Sequence, residues 1–160
     1  MAWWSTGLLL AIPGVWLGLL IGISLIEAPL KFTAPGITLP LGLGIGRRVF
    51  FAMNLVEAVL AVVVVMAAGR ALGVPWQSRA ERSGAARWIW PSVLGAVALL
   101  AIKTAVIRPF LNRRTDAVLA GLDAGGSSWH YAYVAVDGLL ILLMIALLVF
   151  TVRTFAAPRA

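Results

Sequence analysis

The chain of 160 residues contains no cysteine, only one histidine and few charged groups. The lack of cysteine excludes disulfide bonds, thiolate metal sites and cysteine nucleophiles. Only 12% of the residues are charged and 62% are hydrophobic, whereas soluble domains have roughly 25% and 45–50%. The composition therefore predicts a chain that is solvated by lipid and forms a single membrane domain over residues 1–160.

The net charge of +7 raises the question of a nucleic-acid partner. The basic residues stand in short groups between apolar runs, a pattern typical of anchoring beside lipid headgroups. No basic, aromatic-interleaved soluble face is present to bind a nucleic acid. We therefore predict the lipid bilayer as a partner and no nucleic acid.

Four apolar segments are long enough to cross a bilayer, since about 20 helical residues span its hydrocarbon core. They predict an all-α fold, an integral membrane four-helix bundle with spans over residues 4–27, 48–69, 88–107 and 129–152. A short interfacial helix is expected between spans three and four, over residues 110–123. The first segment lacks a basic region and a clear cleavage site, so we interpret it as a retained span. The expected location is a membrane, the cell membrane in a bacterium.

The connection between the first two spans is rich in helix breakers. Residues 28–46 contain three prolines and four glycines, and Pro29 predicts that the first helix ends just after Glu27. We expect an irregular, closely packed loop. Its Gly42-x-Gly44-x-Gly46 run lacks the spacing of a dinucleotide-binding motif. A carbonyl-lined ion filter is the alternative interpretation.

Glycines also recur at every fourth position of the first span, at Gly14, Gly18 and Gly22. Such a smooth strip favours close helix packing and predicts a homo-oligomer or a partner membrane protein. Four crossings place both termini on one side of the membrane. Six basic residues flank the spans on each side, so the positive-inside rule assigns no orientation.

Ionisable residues inside the spans are expected to meet at one depth. Counted at 1.5 Å per residue from the nearest span end, Glu57, Lys103 and Asp137 fall in the membrane half that faces away from the termini. The candidate ligand-binding residues are these three with three further polar residues of that half: Asn54, His130 and Glu27. We expect the first three to form the core of a site, His130 and Asn54 its mouth, and Glu27 to lie at the interface.

Lys103 is expected to pair with Glu57 or Asp137. One ammonium cannot neutralise three carboxylates, so either one carboxyl group keeps its proton, or a cation or water-filled pocket is present. A buried network that only fixes helix register is the alternative. The sequence does not decide between them.

Metal and catalytic chemistry have less support in the sequence. Two-iron helical bundles need Glu-x-x-His pairs on two helices, and this chain has a single histidine. A single metal ion held by His130, Asp137 and Glu57 is the remaining alternative. No nucleophile–base–orienter set is visible, so we predict no catalytic residue, no metal and no cofactor, and we favour a protein without enzyme activity.

Short motifs also resemble the transmembrane protein 205-like family, small four-span membrane proteins with a domain of unknown function. The similarity lies in Glu27-Ala-Pro-Leu-Lys-Phe, Gly44-Ile-Gly-Arg-Arg-Val-Phe, Arg108-Pro109 with Arg113-Arg114, and Trp129-His130-Tyr131. It implies a four-helix membrane bundle, with transport or resistance roles suggested for some relatives and no catalytic residues. Many relatives have a glycine where this chain has Tyr131.

The leading functional prediction is handling of a cation, a proton or a small amphiphile at the intramembrane polar site. The alternative is a non-transporting accessory or assembly protein of a membrane complex, in which the polar cluster is structural. A metal-dependent membrane enzyme is the third and weakest class.

Overall fold

The computed structural model describes residues 3–74, 84–122 and 128–155. Within these ranges, four helices are long and apolar enough to cross a membrane: α1 (Trp3–Thr33), α2 (Leu39–Leu72), α3 (Ala86–Leu119) and α4 (Ser128–Phe155). This confirms the predicted all-α four-helix architecture. Large apolar side chains such as Val59, Val62 and Leu142 are exposed on the outside of the bundle, as lipid contact requires.

The helices are arranged as a square in chain order. The first helix, α1, packs against α2 and α4, and α3 packs against the same two helices. On three helices the buried side chains alternate at spacings of four and three residues. On α4, for example, they are Tyr133, Asp137, Leu140, Met144, Leu147 and Thr151. This spacing is that of left-handed helix packing, which directs one narrow stripe of each helix to the centre.

Two helices run further than the prolines predict. The first continues through Pro29 to Thr33, and the third continues through Pro109 to Leu119. Each proline stands two residues after a π-helical segment, Leu20–Glu27 in α1 and Lys103–Ile107 in α3. A π turn shifts the backbone hydrogen-bond register, and spanning helices use such adjustments to accommodate proline. The predicted end of the first helix after Glu27 is therefore wrong. Of the interfacial helix predicted over residues 110–123, residues 110–119 are helical and belong to Arg108–Leu119, which continues span three without a break. Residue 123 lies outside the described residues, and the interfacial position stays a prediction.

The predicted glycine-rich loop is likewise wrong over its second half. Only a short connection separates α1 from α2, and the Thr38 hydroxyl caps α2 by accepting the Leu41 N–H at 3.4 Å. Gly42 and Gly46 lie one turn apart inside α2. A Cβ atom on Gly42 would stand 2.2 Å from the Phe32 ring, and one on Gly46 would stand 2.8 Å from the Lys31 Nζ. These glycines therefore make room for two side chains of α1.

The glycine strip of the first span does not serve packing within the bundle. Apart from the chain neighbours and the backbone of their own helix, no heavy atom of the described residues lies within 4 Å of a Cβ built on Gly14, Gly18 or Gly22. The strip thus remains available for another helix, and the predicted oligomer or partner contact stays a prediction.

Candidate functional site

Three charged side chains meet in the centre of the bundle, and all three occupy positions of the buried stripes. The Lys103 ammonium donates to Glu57 Oε1 at 2.9 Å and to Asp137 Oδ1 at 2.7 Å. Glu57 and Lys103 side chains are 0% exposed and Asp137 is 1% exposed. The cluster therefore joins α2, α3 and α4 at one depth, and the predicted pairing of Lys103 involves both carboxylates.

The first helix completes this cluster with two uncharged donors. Trp16 Nε1 donates to Glu57 Oε1 at 2.9 Å, and Ser24 Oγ donates to Asp137 Oδ2 at 2.6 Å. Glu57 Oε2 lies within ion-pair distance of the Lys103 ammonium, at 2.7 Å, and has no other partner among the described residues. All four helices thus contribute to the cluster, which we call the central cluster: Trp16, Ser24, Glu57, Lys103 and Asp137.

An aromatic residue extends the central cluster on α4. The ring of Tyr133 lies 5.2 Å from the Lys103 Nζ, within the range of a cation–π contact. Its hydroxyl donates to Asn54 Oδ1 at 3.1 Å. Asn54 Nδ2 is buried and has no hydrogen-bond partner among the described residues. The polar interior therefore continues from Lys103 toward the end of the bundle at which α1 connects to α2.

A cavity of about 380 Å³ opens next to the central cluster. Ser24 and Asp137 lie at its inner end, where they connect it to the buried charges. Much of its wall is apolar: Leu25, Ala28, Phe32, Leu43, Phe50, Leu111 and Val134. Its remaining lining includes one exposed histidine and three basic side chains, each from a different helix: His130, Lys31, Arg47 and Arg108. The cavity thus combines an apolar wall with a few polar groups.

The six candidate ligand-binding residues predicted from the sequence divide into those enclosed in the central cluster, those that line the cavity, and those that do neither. Glu57 and Lys103 are enclosed in the central cluster and do not line the cavity, whereas Asp137 belongs to both. His130 lines the cavity and its side chain is exposed.

The remaining two residues do not line the cavity. Asn54 is 3% exposed and does not line the cavity, so its predicted place at the mouth is wrong. It faces Tyr133 because it stands on the buried stripe of α2. Glu27 also lies off the cavity lining and pairs with Lys31 at 3.3 Å across one helical turn.

Several residues of the site escaped the sequence analysis. Trp16 carried a usable signal, since it is a tryptophan far from both ends of its span and therefore needs a buried acceptor. Ser24 is a polar residue in an apolar run, which is a weaker signal. No local sequence pattern predicts that Lys31, Arg47 and Arg108 line one cavity, because they belong to three different helices.

No metal centre is formed by the described residues. Within residues 3–74, 84–122 and 128–155 no group of three or more histidine, aspartate or glutamate side chains could hold an ion. His130, Asp137 and Glu57 do not form such a group, so the single-metal alternative loses its geometric basis.

The four apolar helices and the polar cluster enclosed among them fit a multi-pass integral membrane protein with a polar interior. No protein-family model, no curated protein and no solved structure matches this chain. The resemblance to the transmembrane protein 205-like family therefore stays a prediction from its motifs.

Proposed function

We propose that this protein binds a small amphiphile in the cavity beside Asp137. The cavity volume of about 380 Å³ carries the proposal, because small-molecule sites of roughly 300–1,000 Å³ combine apolar walls with a few convergent polar groups. The apolar wall suits a hydrocarbon chain and the polar lining suits a head group. An occupant with both parts matches the cavity better than a purely polar solute.

The inner end of the cavity supports the same proposal. The carboxylate of Asp137 is held there from two sides, by Lys103 at 2.7 Å and by Ser24 at 2.6 Å. Ser24 and Lys103 both stand in π-helical segments. Such segments are rare in proteins overall, and those that occur are often found at functional sites. A rigidly held polar group at the end of an apolar cavity provides a fixed contact for the occupant.

Handling of a cation is less well supported by this geometry. The two buried carboxylates both contact the Lys103 ammonium, which takes the position that a bound cation would need between them. We therefore favour the amphiphile among the three solutes that the sequence left open.

Filling the cavity should abolish amphiphile binding. Ala28 lines the cavity, and we expect Ala28→Trp to weaken binding of laurate, dodecanol and dodecyltrimethylammonium by at least about tenfold, because its indole would occupy the space of the chain. Binding is measured with radiolabelled probes and protein in nanodiscs of neutral lipid, and the signal of empty nanodiscs is subtracted.

Ala58→Trp is the matched control, since Ala58 is exposed on α2 and lies off the cavity lining. It should bind the probes like the unaltered protein. If both variants bind equally well, or if the unaltered protein binds none of the three probes, the proposed function is wrong.

The second candidate is an accessory or assembly protein with a structural polar cluster. Its specific support is the complete enclosure of Glu57 and Lys103, which hydrogen bonds and ion pairs tie to all the helices. Under this candidate the cavity has no occupant, and Ala28→Trp leaves every functional measurement in the native membrane unchanged.

A further inference from the structure

The charge of the cavity lining identifies the head group that would bind there, provided that the proposed function is correct. Lys31 of α1, Arg47 of α2 and Arg108 of α3 all line the cavity, and among the described residues Asp137 is the single carboxylate in its lining. Three helices thus each direct one permanent positive charge to the same space. An arrangement of this kind is expected where an anion is bound.

The carboxylates that pair with two of these basic groups lie outside the cavity. Glu27 pairs with Lys31, and Asp116 pairs with Arg47, but neither carboxylate residue lines the cavity. In both pairs the cation is the less exposed partner, with 10% for Lys31 against 35% for Glu27, and 34% for Arg47 against 57% for Asp116. The positive ends of both pairs therefore face the occupant, and the negative ends face outward.

The third basic group, Arg108, contacts an aromatic ring. The Arg108 guanidinium lies 4.7 Å from the centre of the Phe51 ring. No carboxylate of the described residues lies within ion-pair distance of it. A cation–π contact leaves the hydrogen-bond donors at the edge of the guanidinium plane free to bind a carboxylate or phosphate oxygen.

The carboxylate of Asp137 does not cancel the three positive charges of the cavity lining. Its two oxygens accept from Lys103 and from Ser24, so Lys103 already offsets part of its charge inside the bundle. We infer that the occupant is a single-chain amphiphile with an acidic head group, a carboxylate or a phosphate. Lys31, Arg47 and Arg108 bind the head, and the chain lies along the apolar wall.

The test compares probes that share one chain and differ in the head. Laurate, dodecyl phosphate, dodecanol and dodecyltrimethylammonium are titrated against the full chain in nanodiscs of neutral phosphatidylcholine. We expect the two acidic probes to bind at least about tenfold more tightly than dodecanol, and the ammonium probe to bind most weakly. Their advantage should shrink as ionic strength rises, because salt screens partly exposed charges.

Charge removal at the lining gives the matched comparison. Arg108→Gln should lower the affinity for laurate and dodecyl phosphate about tenfold and leave dodecanol unchanged. Arg113→Gln removes a positive charge from the same helix at an exposed position off the lining, and it should change neither. Nanodiscs with anionic phosphatidylglycerol separate two sources of the head group. If a two-chain bilayer lipid supplies it, laurate loses affinity there and the single-chain part of the inference is wrong. If a free single-chain acid supplies it, laurate binding persists.

The outcomes that overturn the inference differ from those that overturn the proposed function. Equal affinity for all four probes, or tightest binding of the ammonium probe, would refute the acidic head and leave amphiphile binding in place. Equal loss in Arg108→Gln and Arg113→Gln would also refute it. Failure of all four probes to bind would remove both.

Discussion

Replacing Lys103 with methionine should destabilise the bundle by about 3–5 kcal/mol, because it leaves two buried carboxylates without their shared cation. Among the described residues, Glu57 and Asp137 each have one other hydrogen-bond partner, Trp16 and Ser24 respectively. Neither of these partners carries a charge. Methionine has nearly the length of lysine, so the loss reflects charge and not a cavity. Unfolding in a neutral detergent, followed by circular dichroism against denaturant, measures the difference.

Two companion variants show whether the charge is responsible. Lys31→Met removes an ammonium whose carboxylate partner is partly exposed, so its cost should stay below about 1 kcal/mol. Adding Glu57→Gln and Asp137→Asn to Lys103→Met neutralises the whole cluster and should recover most of the lost stability. A loss in Lys103→Met no larger than that in Lys31→Met would contradict the central cluster as described.

The central cluster was largely predictable from the sequence, for a physical reason. A charged residue within a span is costly unless it faces the bundle interior and has a partner. The side chains of Glu57, Lys103 and Asp137 were therefore expected to point into the bundle. Helical rise then placed them at a common depth. The sequence could not show that one ammonium contacts both carboxylates, since this depends on how the helices rotate about their axes.

The helix ends and the cavity were much less predictable. Pro29 has a local preference that opposes a helix, yet the first helix continues through it directly after the π-helical segment Leu20–Glu27. Gly42 suggested a loop because glycine has a low helix propensity. In the structure it lies inside a helix, where the absence of a Cβ atom makes room for the Phe32 ring. A cavity is formed by several helices together, and no local pattern of residues specifies it.

Asp137 is the residue that links stability to binding. It is the only one of the three buried charges that also lines the cavity. An occupant that contacts its carboxylate therefore acts on the same ion pair that joins α3 to α4. Glu57 has the same partner but no access to the cavity, which makes the two carboxylates separable by mutation.

The strongest test of the charge balance is the double variant Glu57→Gln with Asp137→Asn. With all groups ionised, Glu57, Lys103 and Asp137 sum to −1, and either single variant brings the sum to zero while keeping one ion pair to Lys103. The double variant leaves the ammonium buried with amide oxygens only. We expect it to lose about 1–3 kcal/mol more than the sum of the single variants, since residues that share a partner are not additive.

Glu27→Gln with Asp116→Asn is the matched control, because these carboxylates pair with different cations, Lys31 and Arg47. Their effects should add within about 0.5 kcal/mol. If the buried pair also proves additive, Lys103 does not depend on either carboxylate for its charge, and the cluster cannot be a single ionic unit. If only the buried pair is non-additive, each carboxylate can replace the other as the partner of Lys103.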